Sequence, residues 1–356
     1  MSRPRKIGVL TFHRCINYGS YWQARCLVEG LRQRGHDAVL LDHDSPLVNR
    51  AEWRCALRPL LPTPTPKTDY PLYASKTRQF LKAFTSLPRS DRFALDNPHG
   101  LDGYDLVVIG SDEVWNLRHP WYGGYPIFYG SGLRTEKLVS YAASFGNHNA
   151  SDGLDSDWAD KLRNFAGISV RDENSRQLIR DALGQEPELV LDPCLQFPAE
   201  IQTPRSGSER PYVAVYGHNF PASFRQAVRH WAASRGYRLL SIGYRNDWAD
   251  EQHITAGPED FARIMAQSAA VATNFFHGCV FALLNAKPFV CASSPYRFNK
   301  VRDLAHAVGA EKHLVAEDAG DSHYASSMEE GLNPDIFSRI AALRQRSDAY
   351  LDHVLN

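Results

Sequence analysis

The residues best placed to do chemistry lie in Val271 to Pro288, VATNFFHGCVFALLNAKP. A buried strand runs to Asn274, Phe275-Phe276-His277-Gly278 makes a short turn, and Val280, Phe281, Leu283 and Leu284 begin a helix. His277 therefore stands at the carboxyl end of a strand beside the positive end of a helix dipole, where anions settle in open α/β sheets. A histidine there can donate a proton or hold a phosphate. The structural alternative is a histidine satisfied within the turn. Asp112 follows Gly110-Ser111 at the end of YDLVVI, placed to act as a base on a hydroxyl or to cap the next turn. Asn17 to Ser20 contains Gly19, where backbone can approach a ligand closely or simply connect a strand to a helix. Trp115, Trp121, Tyr122, Tyr125, Phe128 and Tyr129 crowd a loop containing Gly123-Gly124. They offer stacking surfaces for a sugar ring or form a small satellite core. Asp42-His43-Asp44 has donors for a divalent cation, but reads more simply as acids at a strand-to-loop exit.

Short apolar runs alternate with helical patterns from end to end, which predicts βα units and mostly parallel sheets. The first series has strands at Lys6 to Leu10, Ala38 to Leu41, Tyr104 to Ile109, Leu138 to Ala142 and Ile168 to Val170, with Asp172 as an N-cap. The second has strands at Tyr212 to Tyr216, Arg238 to Ile242, Val271 to Asn274 and Phe289 to Cys291, and a helix opened by Pro258. Two Rossmann-like domains facing a cleft, an α/β architecture, are expected. The first covers 1–197, with a last helix in 334–356 packing back on it; the second covers 211–325; a polar linker, 198–210, joins them. The Pro-rich stretch Arg58 to Pro71 reads as a surface loop and candidate lid.

Composition removes several classes. In 356 residues, 40 Lys plus Arg balance 40 Asp plus Glu, so no global field draws the chain to nucleic acid. Six scattered cysteines without a CxxC suggest neither a disulfide framework nor a zinc site, and fit a reducing cytoplasm. No stretch approaches the ~20 apolar residues of a membrane span. GxGxxG after a strand, GxxxxGK[ST], GxSxG and HExxH are all missing, so dinucleotide, P-loop, serine-hydrolase and zincin chemistry lose their usual support.

Six blocks in order, KIGVLTFHRCINYGSYWQARCLVEGL, YDLVVIGSDEVWN, KLVSYAASFG, ISVRDENSRQLI, LVLDPCL and TNFFHGCVFALLNAKPFV, resemble the polysaccharide pyruvyltransferases across residues 6–305. The resemblance implies a fold like that of GT-B glycosyltransferases, phosphoenolpyruvate as donor and co-substrate, and a sugar of a glycan or glycolipid precursor as acceptor. It implies a cyclic pyruvate ketal as product, with phosphate released, and no cofactor or metal. His277 then becomes the acid and Asp112 the base. Arg171, in the S-V-R-D block, becomes a donor ligand with Gly278, Arg297 and Lys300. Asn17, Gly19, Ser111, Trp115, Asn116, Trp121 and Tyr122 fall on the acceptor side. Some members carry Arg two residues before the histidine, where this chain has Phe275; Arg297, Lys300 or Arg302 is expected to replace that charge. Two other readings remain: a nucleotide-sugar glycosyltransferase on the same frame, and a non-catalytic relative. If the acceptor is lipid-linked, contact with the inner face of the membrane is expected at Trp53 to Leu61, which otherwise reads as a surface loop.

Overall fold

The computed structural model describes residues 3–59, 61–201, 210–292, 298–316 and 319–356. The chain forms two compact units. One comprises Met1–Glu52, Ser86–Pro198 and Ile340–Asn356; the other comprises Trp53–Thr85 and Ala199–Arg339.

The first unit is built on a parallel four-stranded sheet in the spatial order Asp37–Leu40, Lys6–Leu10, Tyr104–Ile109, Thr135–Ser140. Bridges from Val139 to Gly167 and from Ala143 to Val170 extend it towards a short strand, Ser169–Val170, which pairs with Glu188–Leu189. Ile7, Val9, Leu10, Leu106, Val107, Val108 and Ile109 are buried, because helices cover both faces of a parallel sheet and its strands become continuous apolar runs. Thr135–Ser140 begins earlier than the apolar run Leu138 to Ala142 suggested. Its first residues are half-exposed polar positions already paired with Tyr104 and Leu106, so hydropathy marks only the buried end.

The second unit carries a parallel six-stranded sheet in the order Glu251–His253, Arg238–Ile242, Tyr212–Tyr216, Ala270–Thr273, Phe289–Ala292, Leu314–Val315. This is the doubly wound order in which the first strand is central and the direction of winding reverses beside it. Tyr212–Tyr216 is buried at every residue. The helix Pro258–Gln267 begins at a proline followed by Glu259 and Asp260, which suits the positive end of its dipole.

Three boundaries differ from expectation. Trp53–Thr85, placed by the sequence in the first domain, groups with the second unit. Its partners are far along the chain: Tyr73 Oη accepts from the Arg245 amide at 3.1 Å, Lys76 Nζ donates to the Gly243 carbonyl at 2.9 Å, and Asp69 takes a bidentate pair from Arg245. Trp53 to Leu57 belongs to a helix, Pro46–Leu57, rather than a loop. The long helix Pro334–Leu355 is shared, with Ile340–Asn356 in the first unit, where Tyr350 Oη donates to the Ser140 carbonyl at 2.7 Å. Residues 202–209 of the expected linker lie outside the described residues.

Candidate active site

In the first unit the winding reverses between Lys6–Leu10 and Tyr104–Ile109, and the loop after Tyr104–Ile109 carries Asp112 and Glu113. Gly110 has φ 116°, and a Cβ there would lie 2.3 Å from the Tyr141 carbonyl, so only glycine fits. Asp112 adopts φ 71°, a left-handed conformation that a non-glycine residue keeps only when its surroundings hold it. They do. Ser20 Oγ donates to Asp112 at 2.7 Å, Arg171 Nη2 donates at 3.1 Å, and the Asp112 carbonyl accepts from the Ser144 amide at 3.0 Å.

Arg171 is the hinge of this arrangement. Its side chain is 1% exposed, and Nη1 donates to Asp192 at 2.8 Å. Burial opposes its charge, but Asp112 and Asp192 outweigh burial and raise its pKa further. Two carboxylates thus hold the guanidinium that the family resemblance assigns to the donor. The neighbouring Asp172 caps the helix Glu173–Leu183, its side chain accepting from the Ser175 amide at 2.7 Å. Asp192 sits in the LVLDPCL block, where no local signal marks it as a partner of Arg171; it also accepts from the Cys194 amide at 3.0 Å.

The acceptor-side residues divide. Asn17 caps the helix Tyr18–Gln33, accepting from the Gly19 and Ser20 amides at 2.8 and 3.2 Å, so those donors are satisfied within the chain. Gly19 and Ser111 are buried. Asn116 is buried and donates to Glu113 at 2.8 Å and Asn147 at 2.9 Å. The aromatic loop is core, not a stacking platform. Trp115 is fully buried, donates to the Phe128 carbonyl at 2.8 Å, and packs on Phe145 and Phe165. Tyr122 stacks on Phe12 at 4.2 Å between ring centroids, and burial pushes its hydroxyl pKa well up. Trp121 is half-buried and donates to Glu52 at 3.1 Å. Gly123-Gly124 lets the loop fold inward, which delivers the rings to the unit's own core.

Asp42 is equally committed. It accepts from His13 Nε2 at 2.9 Å, from Arg14 at 2.7 and 2.8 Å, and from Arg89 at 3.1 Å. Burial works against its charge, but the His13 and Arg14 hydrogen bonds hold its carboxyl well below the usual range. Its lone pairs are spent on protein donors, as the simpler reading of Asp42-His43-Asp44 anticipates.

In the second unit the winding reverses between Tyr212–Tyr216 and Ala270–Thr273. There Gly217-His218, Gly243-Tyr244 and Phe275-Phe276-His277 gather at the strand ends. His277 is buried in the first turn of the helix Phe276–Leu284, one turn beyond its strand. Phe275 meets Tyr216, His218 and Tyr244 edge-on, with centroids 4.9, 5.3 and 5.6 Å away. An aromatic box thus surrounds Phe275, the position at which the sequence lacks an arginine. Behind Tyr244 lies a cation that sequence reasoning missed: Lys76 is 3% exposed and its Nζ sits 4.3 Å from the Tyr244 centroid. Gly278, expected to bind donor, has a packing requirement of its own, since a Cβ there would lie 2.0 Å from Thr273 Oγ1. Lys300 lies half-buried in the helix Phe298–Val308, where Arg302 pairs with Asp303 at 2.8 Å. Arg297 lies outside the described residues.

The family described as polysaccharide pyruvyl transferase matches residues 17–294 of this chain. The chain belongs to that family. No curated protein matches the sequence. Among solved structures, the UDP-GlcNAc 2-epimerase of Methanocaldococcus jannaschii shares 11% identity at a TM-score of 0.49, over 95% of this chain and 98% of that one. The glycotransferase of kitacinnamycin shares 13% at 0.46, over 98% and 96%. A glycosyl transferase family 9 protein of Veillonella parvula shares 11% at 0.40, over 99% of both chains.

Proposed function

We propose that this member of the polysaccharide pyruvyl transferase family takes pyruvate from phosphoenolpyruvate, bridges two hydroxyls of one sugar as a cyclic ketal, and releases phosphate. The observation that carries the reading is the family match over residues 17–294, a span that contains both strand-end clusters. The chemistry has definite needs. A proton must reach the methylene carbon of phosphoenolpyruvate, which leaves positive charge on C2. One sugar hydroxyl attacks there, phosphate departs with the C2–O bond electrons, and a second hydroxyl of the same sugar closes the ring, each hydroxyl losing its proton.

His277 is the proposed acid, since its imidazole can carry a proton and a strand end beside a helix start favours the anionic donor. Asp112 is the proposed base. Its carboxylate is held by Ser20 and Arg171 in a fixed orientation, so Arg171 is a positioning residue. Lys300 and Arg297 are proposed to hold the donor's negative groups, and Lys76 adds positive charge behind the aromatic box. Gly19, Ser111 and Asn116 are proposed to line the acceptor side. The reading places the reaction in the cytoplasm on a saccharide acceptor, and needs no resident cofactor or metal.

A nucleotide-sugar transferase is disfavoured by one feature. Gly278 to Val290, the helix and strand after the donor loop, contains no acid to hold a ribose. The deciding experiment incubates the protein with phosphoenolpyruvate and a panel of glycosides, and follows phosphate release together with the mass of the sugar. Phosphate release coupled to pyruvate addition is expected. Background release across the panel, with turnover of a nucleotide sugar instead, would overturn the reading.

A further inference from the structure

We infer that the helix Pro46–Leu57 is a docking surface for an anionic lipid bilayer. Its inward positions are anchored. Val48 is buried in the first unit's core, and the Glu52 carboxylate accepts from the Ile16 amide at 3.3 Å and the Trp121 indole at 3.1 Å. Its outward positions repeat at three and four residues, as one helix face requires. They are Leu47, Arg50, Trp53, Arg54, Leu57 and, just past the last turn, Arg58, all exposed. Leu47 is 76% exposed, Trp53 52% and Leu57 36%; of the five exposed large hydrophobic residues described, three lie on this stripe.

Half of the stripe is apolar and half is arginine, with no acid among its outward positions. Among the described residues Arg50 and Arg54 have no carboxylate partner, and Arg58 lies over the Tyr70 ring at 5.0 Å. The one acid of the segment, Glu52, is turned inward. Three arginines spaced four apart repel one another along one face, and a surface of phosphate head groups relieves that repulsion. Leu47, Trp53 and Leu57 provide what enters the head-group and acyl boundary, tryptophan being suited to that depth. Twelve residues make a helix about 18 Å long, and no described helix is long and apolar enough to cross a membrane. The helix therefore lies on the surface.

The occupant is identified by charge: anionic phospholipid rather than zwitterionic lipid. The inference does not rest on the transfer reading, because binding is measured without turnover. The full chain is sedimented with vesicles of phosphatidylcholine alone or containing about 30% phosphatidylglycerol. Partitioning onto the anionic vesicles is expected to exceed that onto neutral ones by about tenfold and to fall with salt. The double variants Leu47→Glu/Trp53→Glu and Arg50→Glu/Arg54→Glu should each lose it, with unchanged unfolding midpoints. Equal partitioning of wild type and either variant would overturn the inference. So would a dimer in light scattering that Trp53→Glu dissociates, which would assign the stripe to a second copy of the chain.

Discussion

Arg171 and Asp112, 59 residues apart in sequence, form a buried ion pair at 3.1 Å, and Arg171 reaches Asp192 from its other nitrogen at 2.8 Å. One guanidinium thereby serves two carboxylates with almost no access to water. Such a group is expensive to disturb, because removing the cation strands two buried charges.

Arg171→Met should therefore cost about 3–5 kcal/mol of stability, read from urea unfolding. Arg171→Lys should rescue it only partly, since a point charge cannot fork between two carboxylates. A midpoint unchanged in Arg171→Met would show that the pair contributes nothing, and would reopen the guanidinium as an anion site.

His277→Gln tests the acid. Turnover of phosphoenolpyruvate should fall by at least about 100-fold while the unfolding midpoint holds. A rate near that of the wild type removes His277 from proton transfer.

Stability should fall as the solution is acidified through the histidine range. Burial lowers the His43 pKa from 6.5 to about 3, and burial lowers His13 in the same direction. Between those values the unfolded chain binds a proton that the folded chain refuses, so stability present above pH 6.5 declines as pH falls towards 3. Asp42 contributes only below the ordinary carboxylate range, because its own pKa is depressed. From pH 7 to pH 5 His43 alone should account for a loss of about 2 kcal/mol, to which His13 adds in the same direction. His43→Asn should flatten the slope across that interval. An unfolding free energy level between pH 7 and pH 5 in the wild type would contradict the buried neutral histidine.

Gly278→Ala separates packing from ligand binding. The added methyl would press on Thr273, whose Oγ1 is fixed by donation to the Tyr216 carbonyl at 2.6 Å. A loss of about 1–3 kcal/mol is expected. Native stability with weakened phosphoenolpyruvate binding would instead return Gly278 to the donor site.

Much of the frame was legible before any coordinates. Lys6–Leu10, Tyr104–Ile109, Tyr212–Tyr216 and Arg238–Ile242 fall where their apolar runs place them, because a strand covered on both faces has no polar alternation to obscure it. The helix at Pro258 and the cap at Asp172 were readable for a related reason: both are local, written within four residues. The strands that end shortly before Asp112 and His277 followed from the same runs, whereas the family was legible in the six ordered blocks.

What those ends touch was a matter for tertiary structure alone. Arg171 at a strand end looks the same in sequence whether it faces a ligand or two aspartates, and its partners lie 59 and 21 residues away. Trp115 and Tyr122 look the same as a stacking surface or as core until the chain folds over them. Lys76 stands 167 residues from the Gly243 carbonyl it binds, and nothing local announces that Trp53–Thr85 joins the second unit. Periodicity records which face of an element is covered. The neighbour that covers it is set by strand order and by long-range pairing of charges, and these exist only in the folded chain.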